Sequence, residues 1–201
     1  MPSYRLPIHH RQNPAVRCVN FFCVVLLTLV LVAGIILFVL WLSLRPHRPK
    51  FFLADFSIPN ASRQSGLANL PVRFTVSEQN PNQKVGIYYE AIEGSVYYGD
   101  QLIASGPVMD PFYQAPKGET QVQGALAASG PAPTDPVWQR FAGEVSAGSV
   151  GLRLVLNSMV RFQMKLWDNR EHHMKVDCEF KLRGDGTLQQ EYRNSQCSLY
   201  L

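Results

Sequence analysis

From Cys18 to Leu44 the chain carries no charged residue, and apart from Cys18 and Cys23 its only polar side chains there are Asn20, Thr28 and Ser43. In hydrocarbon every backbone N–H and C=O must be satisfied within the segment, so a lone run of this kind has to be helical. About twenty residues rising ~1.5 Å each cover the roughly 30 Å hydrocarbon core of a bilayer. The run predicts one transmembrane helix over residues 18–44, with Trp41 placed as an interfacial aromatic. A cleaved secretory signal is the competing reading. Its apolar part would be shorter, about 7–15 residues, and would end in a small-residue cleavage site. Here the run passes directly into Arg45-Pro46-His47-Arg48-Pro49-Lys50, so it reads as an uncleaved signal-anchor.

The flanking charges do not orient this helix, because Arg5, Arg11 and Arg17 on one side balance Arg45, Arg48 and Lys50 on the other. Two features of the remainder favour a cytoplasmic N-terminus and an extracellular C-terminal domain. Cys178 and Cys197 are its only cysteines, a pair suited to a disulfide in an oxidising compartment. Asn60-Ala61-Ser62 is an N-glycosylation sequon just past the anchor. All fifteen acidic residues and sixteen of the nineteen basic ones follow Leu44, leaving +1 on the domain and +3 on the tail. The sequence pI near 8.9 therefore reflects the tail and implies no nucleic-acid partner. Residues 1–17, with Pro2, Pro7 and Pro14 and no apolar periodicity, read as a disordered basic tail whose arginines can meet anionic headgroups.

After a basic linker over 45–50, residues 51–201 read as one mainly β domain. Leu70, Val72, Phe74 and Val76 alternate with polar neighbours, as do Leu152 to Leu166 and Met174 to Leu182. Ile87–Glu90, Ser95–Tyr98 and Thr120–Leu126 supply further strands, and Gly99-Asp100 marks a hairpin into Gln101–Ser105. One short helix is expected over Val137–Val145, capped by Asp135 with Pro136 at its first position. Seven or so antiparallel strands predict an immunoglobulin- or fibronectin-III-like β-sandwich.

A search for chemistry returns little. No Cys-x-x-Cys, His-Glu-x-x-His, Gly-x-Ser-x-Gly or phosphate-binding glycine loop occurs, and no cofactor or metal site is expected. His172-His173 are adjacent and read as solvated or structural residues. Arg183-Gly184-Asp185 reads first as part of a glycine-dependent hairpin turn, and as an adhesion tripeptide second. Cys18 and Cys23 are small helix residues or, alternatively, sites of reversible palmitoylation. The chain is expected not to be an enzyme.

The stretch Gln79-Asn80-Pro81-Asn82-Gln83-Lys84-Val85-Gly86-Ile87-Tyr88-Tyr89-Glu90, then Tyr97-Tyr98-Gly99-Asp100-Gln101-Leu102, and the ending Cys197-Ser198-Leu199-Tyr200-Leu201 carry a resemblance. With the short basic tail and single membrane helix, the chain resembles the plant harpin-induced-like, non-race-specific disease-resistance family, also described as late-embryogenesis-abundant hydroxyproline-rich glycoproteins. The resemblance implies a group-2 late-embryogenesis-abundant (LEA-2) domain with a fibronectin-like sandwich and no agreed catalytic residues. It implies a plasma-membrane location, sometimes at plasmodesmata, and a role in pathogen defence or abiotic stress; the leading expectation is a defence protein that acts through protein partners in immune signalling. Abiotic-stress protection, or adhesion between membrane and cell wall, is the alternative, and self-association into a homo-oligomer is left open. The Asn80-Pro81-Asn82 segment reads as a structural turn between strands.

Overall fold

The structure, a computed structural model, describes residues 14–44, 47–59, 70–129, 134–163 and 171–201. The chain divides into two units at Arg45/Pro46. The first contains α1 (Pro14–Leu44), of which Arg17–Leu42 is long and apolar enough to cross a membrane, with mean hydropathy 3.3. Thr28 fits this apolar surface because its hydroxyl donates to the Val25 carbonyl at 2.8 Å. Cys18 and Cys23 are both exposed on this helix with free thiols.

The second unit is a two-sheet antiparallel sandwich of β1 (Lys50–Ser57), β2 (Pro71–Gln79), β3 (Gly86–Tyr89), β4 (Ile92–Tyr98), β5 (Gln101–Met109), β6 (Phe112–Gln114), β7 (Glu119–Ala127), β8 (Val150–Gln163), β9 (Glu171–Leu182), β10 (Ser195–Gln196) and β11 (Ser198–Tyr200). The small sheet runs β10-β1-β2-β7. The large sheet runs β11-β9-β8-β3-β6, with β4 also on β8 and β5 beyond it. Strand β8 is long enough to pair two strands along one edge, β4 through residues 153–157 and β3 through 160–163. With eleven strands among the described residues rather than about seven, the immunoglobulin label holds for the layered architecture and not for the strand plan.

The expected alternations sit where the periodicity placed them. In β9 Met174, Val176, Cys178, Phe180 and Leu182 are buried while Lys175, Glu179 and Lys181 are exposed. In β8 Leu152, Leu154, Leu156 and Val160 face the core, and Val155 is buried as well. Met164 and Leu166, expected to extend that strand, lie outside the described residues. In β1 a bulge after Leu53 switches the inward set from Phe51 and Leu53 to Phe56. An extra residue in one strand breaks the period of two. The short helix is α2 (Pro136–Ser146); Asp135 accepts from the Val137 N–H, and Trp138, Phe141 and Val145 are buried. The C-terminal segment pairs first with β1 and then with β9, so it crosses between the sheets at Cys197. There Cys197 is bonded to Cys178 of β9.

Candidate functional site

The densest buried polar chemistry gathers where β2 ends and β3, β6 and β7 meet it. Asn80 is 2% exposed and uses its whole amide capacity. Its Nδ2 donates to the carbonyls of Val85 (2.9 Å) and Ala115 (3.1 Å), while its Oδ1 accepts from the backbone N–H (3.0 Å) and Nδ2 (2.9 Å) of Asn82. The Asn80 N–H reaches the Gly118 carbonyl, and the Lys117 N–H reaches that of Asn82. Pro81 sets φ between the two asparagines, and Lys117 takes a left-handed backbone (φ 57°) across from them.

Asn82, 3% exposed, turns this knot into a grip. Its Nδ2 donates to the His47 carbonyl at 2.8 Å, and its Oδ1 accepts the His47 N–H at 2.6 Å. The side-chain amide thus pairs with a backbone residue as a neighbouring strand would. Only Arg45 and Pro46 separate His47 from the end of α1 in the sequence. The segment read as a simple turn is therefore also the residue set that holds the linker to the sandwich.

Beneath the grip lies Glu78, fully buried on the inward face of β2. It faces Phe51 in β1, and Tyr89, whose ring stacks on Phe112 at 4.8 Å, donates its hydroxyl to Glu78 Oε1 at 2.9 Å. Burial among these rings pushes the Glu78 carboxyl up to about 7; the Tyr89 hydrogen bond opposes this, and Glu119 adds to it. The Tyr89 hydroxyl is pushed far above its ordinary range by the same burial and by Glu78. Opposite Glu78 in β7, Thr120 donates to Gln114 Oε1. Glu78 Oε2 and Gln114 Nε2 have no partner among the described residues. Closed off from solvent, this carboxyl can hold or release a proton but cannot reach a substrate.

The outer face of the large sheet carries a second pattern that single-residue reading of the sequence missed. Arg153 sits over Tyr97, its opposite in the ladder, at 5.1 Å, and 3.8 Å from Asp177. Arg161 repeats this over Tyr88 at 5.0 Å, with Glu90 at 2.6 Å and Glu171 at 3.6 Å. Opposite-register pairing explains both: side chains directly across an antiparallel ladder lie about 5 Å apart. Strand registers were the missing information.

The other residues singled out in the sequence are dispersed. Arg183 and Asp185 are exposed on the turn after β9; Asp185 accepts from the N–H (2.9 Å) and hydroxyl (2.6 Å) of Thr187, which hold its carboxyl below its usual range. His172 and His173 are both exposed. No group of three or more His, Cys, Asp or Glu suited to a metal occurs among the described residues. Asn60 lies outside those residues.

Comparison with known proteins places this geometry in a family. The LEA_2 family profile, described as late embryogenesis abundant protein, matches residues 75–178, a span that runs from β2 to Cys178 and holds Glu78, Asn80, Asn82 and Tyr89. NDR1/HIN1-like protein 26 of Arabidopsis thaliana is 28% identical over 151 residues, covering 72% of this chain and 69% of its own. Protein NDR1 of the same plant is 28% identical over 178 residues, covering 84% of this chain and 78% of its own. The solution structure of a putative late embryogenesis abundant protein aligns at a TM-score of 0.37 with 16% identity, covering 88% of this chain and 96% of that one. The chain belongs to the LEA_2 late embryogenesis abundant family and is similar to its NDR1/HIN1-like proteins.

Proposed function

We propose that this protein is a non-enzymatic, single-pass plasma-membrane protein of the plant defence response that presents its sandwich to protein partners outside the cell. The similarity to Protein NDR1 over 84% of the chain carries the reading, together with the disease-resistance family that the sequence resembles. An apolar helix near the N-terminus fits the anchor, and the Cys178–Cys197 bond fits an oxidising compartment. The Tyr88–Arg161 and Tyr97–Arg153 pairs offer partners the two residue types, Tyr and Arg, in which interface hot spots are rich. Proximity labels placed separately on the tail and on the domain test the proposal. Reproducible immune-signalling proteins around the domain are the expected result; unaltered pathogen resistance in a knockout plant would overturn it. A glycosidase-sensitive mobility shift lost in Asn60→Gln is the expected sign of an extracellular domain.

An adhesive role at the membrane–wall boundary is the second reading, and the exposed Arg183 and Asp185 on one turn favour it. Asp185→Glu keeps the charge and lengthens the side chain. Unchanged membrane-to-wall attachment in that variant removes the tripeptide from consideration.

A further inference from the structure

We propose that the Glu78 carboxyl is a proton-operated lock on the linker: protonated, it lets the Asn80–Asn82 turn hold the backbone of His47, and ionised, it loosens that hold. The two are joined by short steps. Glu78 in β2 and Asn80 just past its end lie two residues apart, both buried. Glu78 bonds Tyr89 of β3, and Asn80 bonds the carbonyl of Val85, immediately before β3. Thr120, opposite Glu78, bonds Gln114 of β6, and Asn80 bonds the carbonyl of Ala115, immediately after β6. The strand that bonds the carboxyl, β3, and the strand that bonds its neighbour Thr120, β6, are thus the two that Asn80 ties together, and Asn80 in turn fixes Asn82 on His47.

The neutral acid is the form this site accommodates. Phe51 from β1 and the Tyr89–Phe112 stack surround the carboxyl with hydrocarbon. Tyr89 gives one hydrogen bond to Oε1, and Oε2 receives none among the described residues. Among the described residues Glu119 from β7 is the one charged group that bears on Glu78, and its like charge resists ionisation. Ser77 on the same strand donates to Glu119 at 2.7 Å. His47 enters the grip through its backbone alone. An ion formed here has to draw in water or donors, and this acts first on β3, the strand that carries its hydrogen-bond donor Tyr89. With the carboxyl titrating at about 7, the change falls in mildly acidic to neutral conditions.

The test is hydrogen exchange of the full-length chain in lipid nanodiscs, read on a peptide covering residues 47–53 from pH 5 to pH 8 and corrected for intrinsic exchange. Wild-type protection of this peptide is expected to fall about tenfold as Glu78 ionises, with a reference peptide from β9 unchanged. Glu78→Gln, neutral at every pH, is expected to remain protected throughout. Asn82→Ala is expected to lose protection at every pH. Tyr89→Phe removes the donor that favours the ion and is expected to move the wild-type transition to higher pH. Flat wild-type protection overturns the lock, and so does an equal fall in β9. A transition that survives in Glu78→Gln assigns the effect to another group and overturns it too.

Discussion

Two turns of the sandwich look alike in sequence and behave oppositely in the fold. Asn80-Pro81-Asn82 and Arg183-Gly184-Asp185-Gly186 are both short and polar, and each follows an alternating strand. The first is buried, and its side chains bond to backbone at positions 47, 85 and 115. The second carries its charged side chains, Arg183 and Asp185, in solvent, and among the described residues its carboxylate bonds only to Thr187, two residues on. Turn-forming composition therefore signals a reversal of the chain, whereas burial decides whether the reversal also joins distant segments. Removing a buried amide strands its partners; removing an exposed one returns them to water.

The comparison is most exposed to failure at Asn80→Ala. That change leaves the carbonyl of Val85 and the N–H of Asn82 without their bonds in a buried site, while the Ala115 carbonyl keeps the Gly118 N–H. Each stranded group costs about 1–3 kcal/mol, so a loss of roughly 3 kcal/mol or more is expected in urea denaturation followed by tryptophan fluorescence. A loss below 1 kcal/mol would make the two turns equivalent.

Glu78→Gln sharpens the same contrast through pH. The folded Glu78 carboxyl is raised above its unfolded value, so the folded state holds the extra proton. Stability is then highest below the unfolded value near 4.5, falls as pH rises toward about 7, and is flat above it. The wild type is expected to lose up to about 3 kcal/mol between pH 4.5 and 8. Glu78→Gln is expected to show a nearly flat profile and to exceed the wild type at pH 8.

Much of the fold was legible because its signals are local. The charge-free run gave α1, alternation placed β2, β8 and β9, and Asp135-Pro136 placed the start of α2. Strand β1 was less distinct because its bulge breaks the period of two, and β6, β10 and β11 are three residues or fewer, too short to show a period. The site was legible only as residue types. That Asn82 meets His47, 35 positions away, or that Arg161 covers Tyr88 depends on register, which no local pattern encodes. Glu78 occupies an inward position of β2, yet its neighbours Ser77 and Gln79 make it read as part of a polar strand end. A glutamate at an inward step of an alternating strand was the available signal.

On the exposed turn the backbone matters more than the side chains. Gly186 holds φ of 80°, where a Cβ is strained, and its N–H closes the turn on the Arg183 carbonyl. Gly186→Ala is expected to cost about 1 kcal/mol, measurable as a lowered urea midpoint with unchanged slope. An unchanged midpoint would mean that the turn opens without consequence for β9.

Asp185→Ala is expected to have the smallest effect and to reverse the pH sense of Glu78. Its carboxylate is held below its usual range by the Thr187 hydroxyl and N–H, so whatever it contributes is present above the ordinary carboxylate range and lost as pH falls through it. Solvent competes for every one of these groups, which keeps the cost at neutral pH within about 0.5 kcal/mol, the usual span for surface substitutions. Chemical denaturation at pH 3 and pH 7 checks it: the variant and the wild type should differ slightly at pH 7 and by less at pH 3. A loss comparable to that of Asn80→Ala would show that this turn, too, carries long-range order, and the distinction between a buried clamp and a solvated reversal would fail.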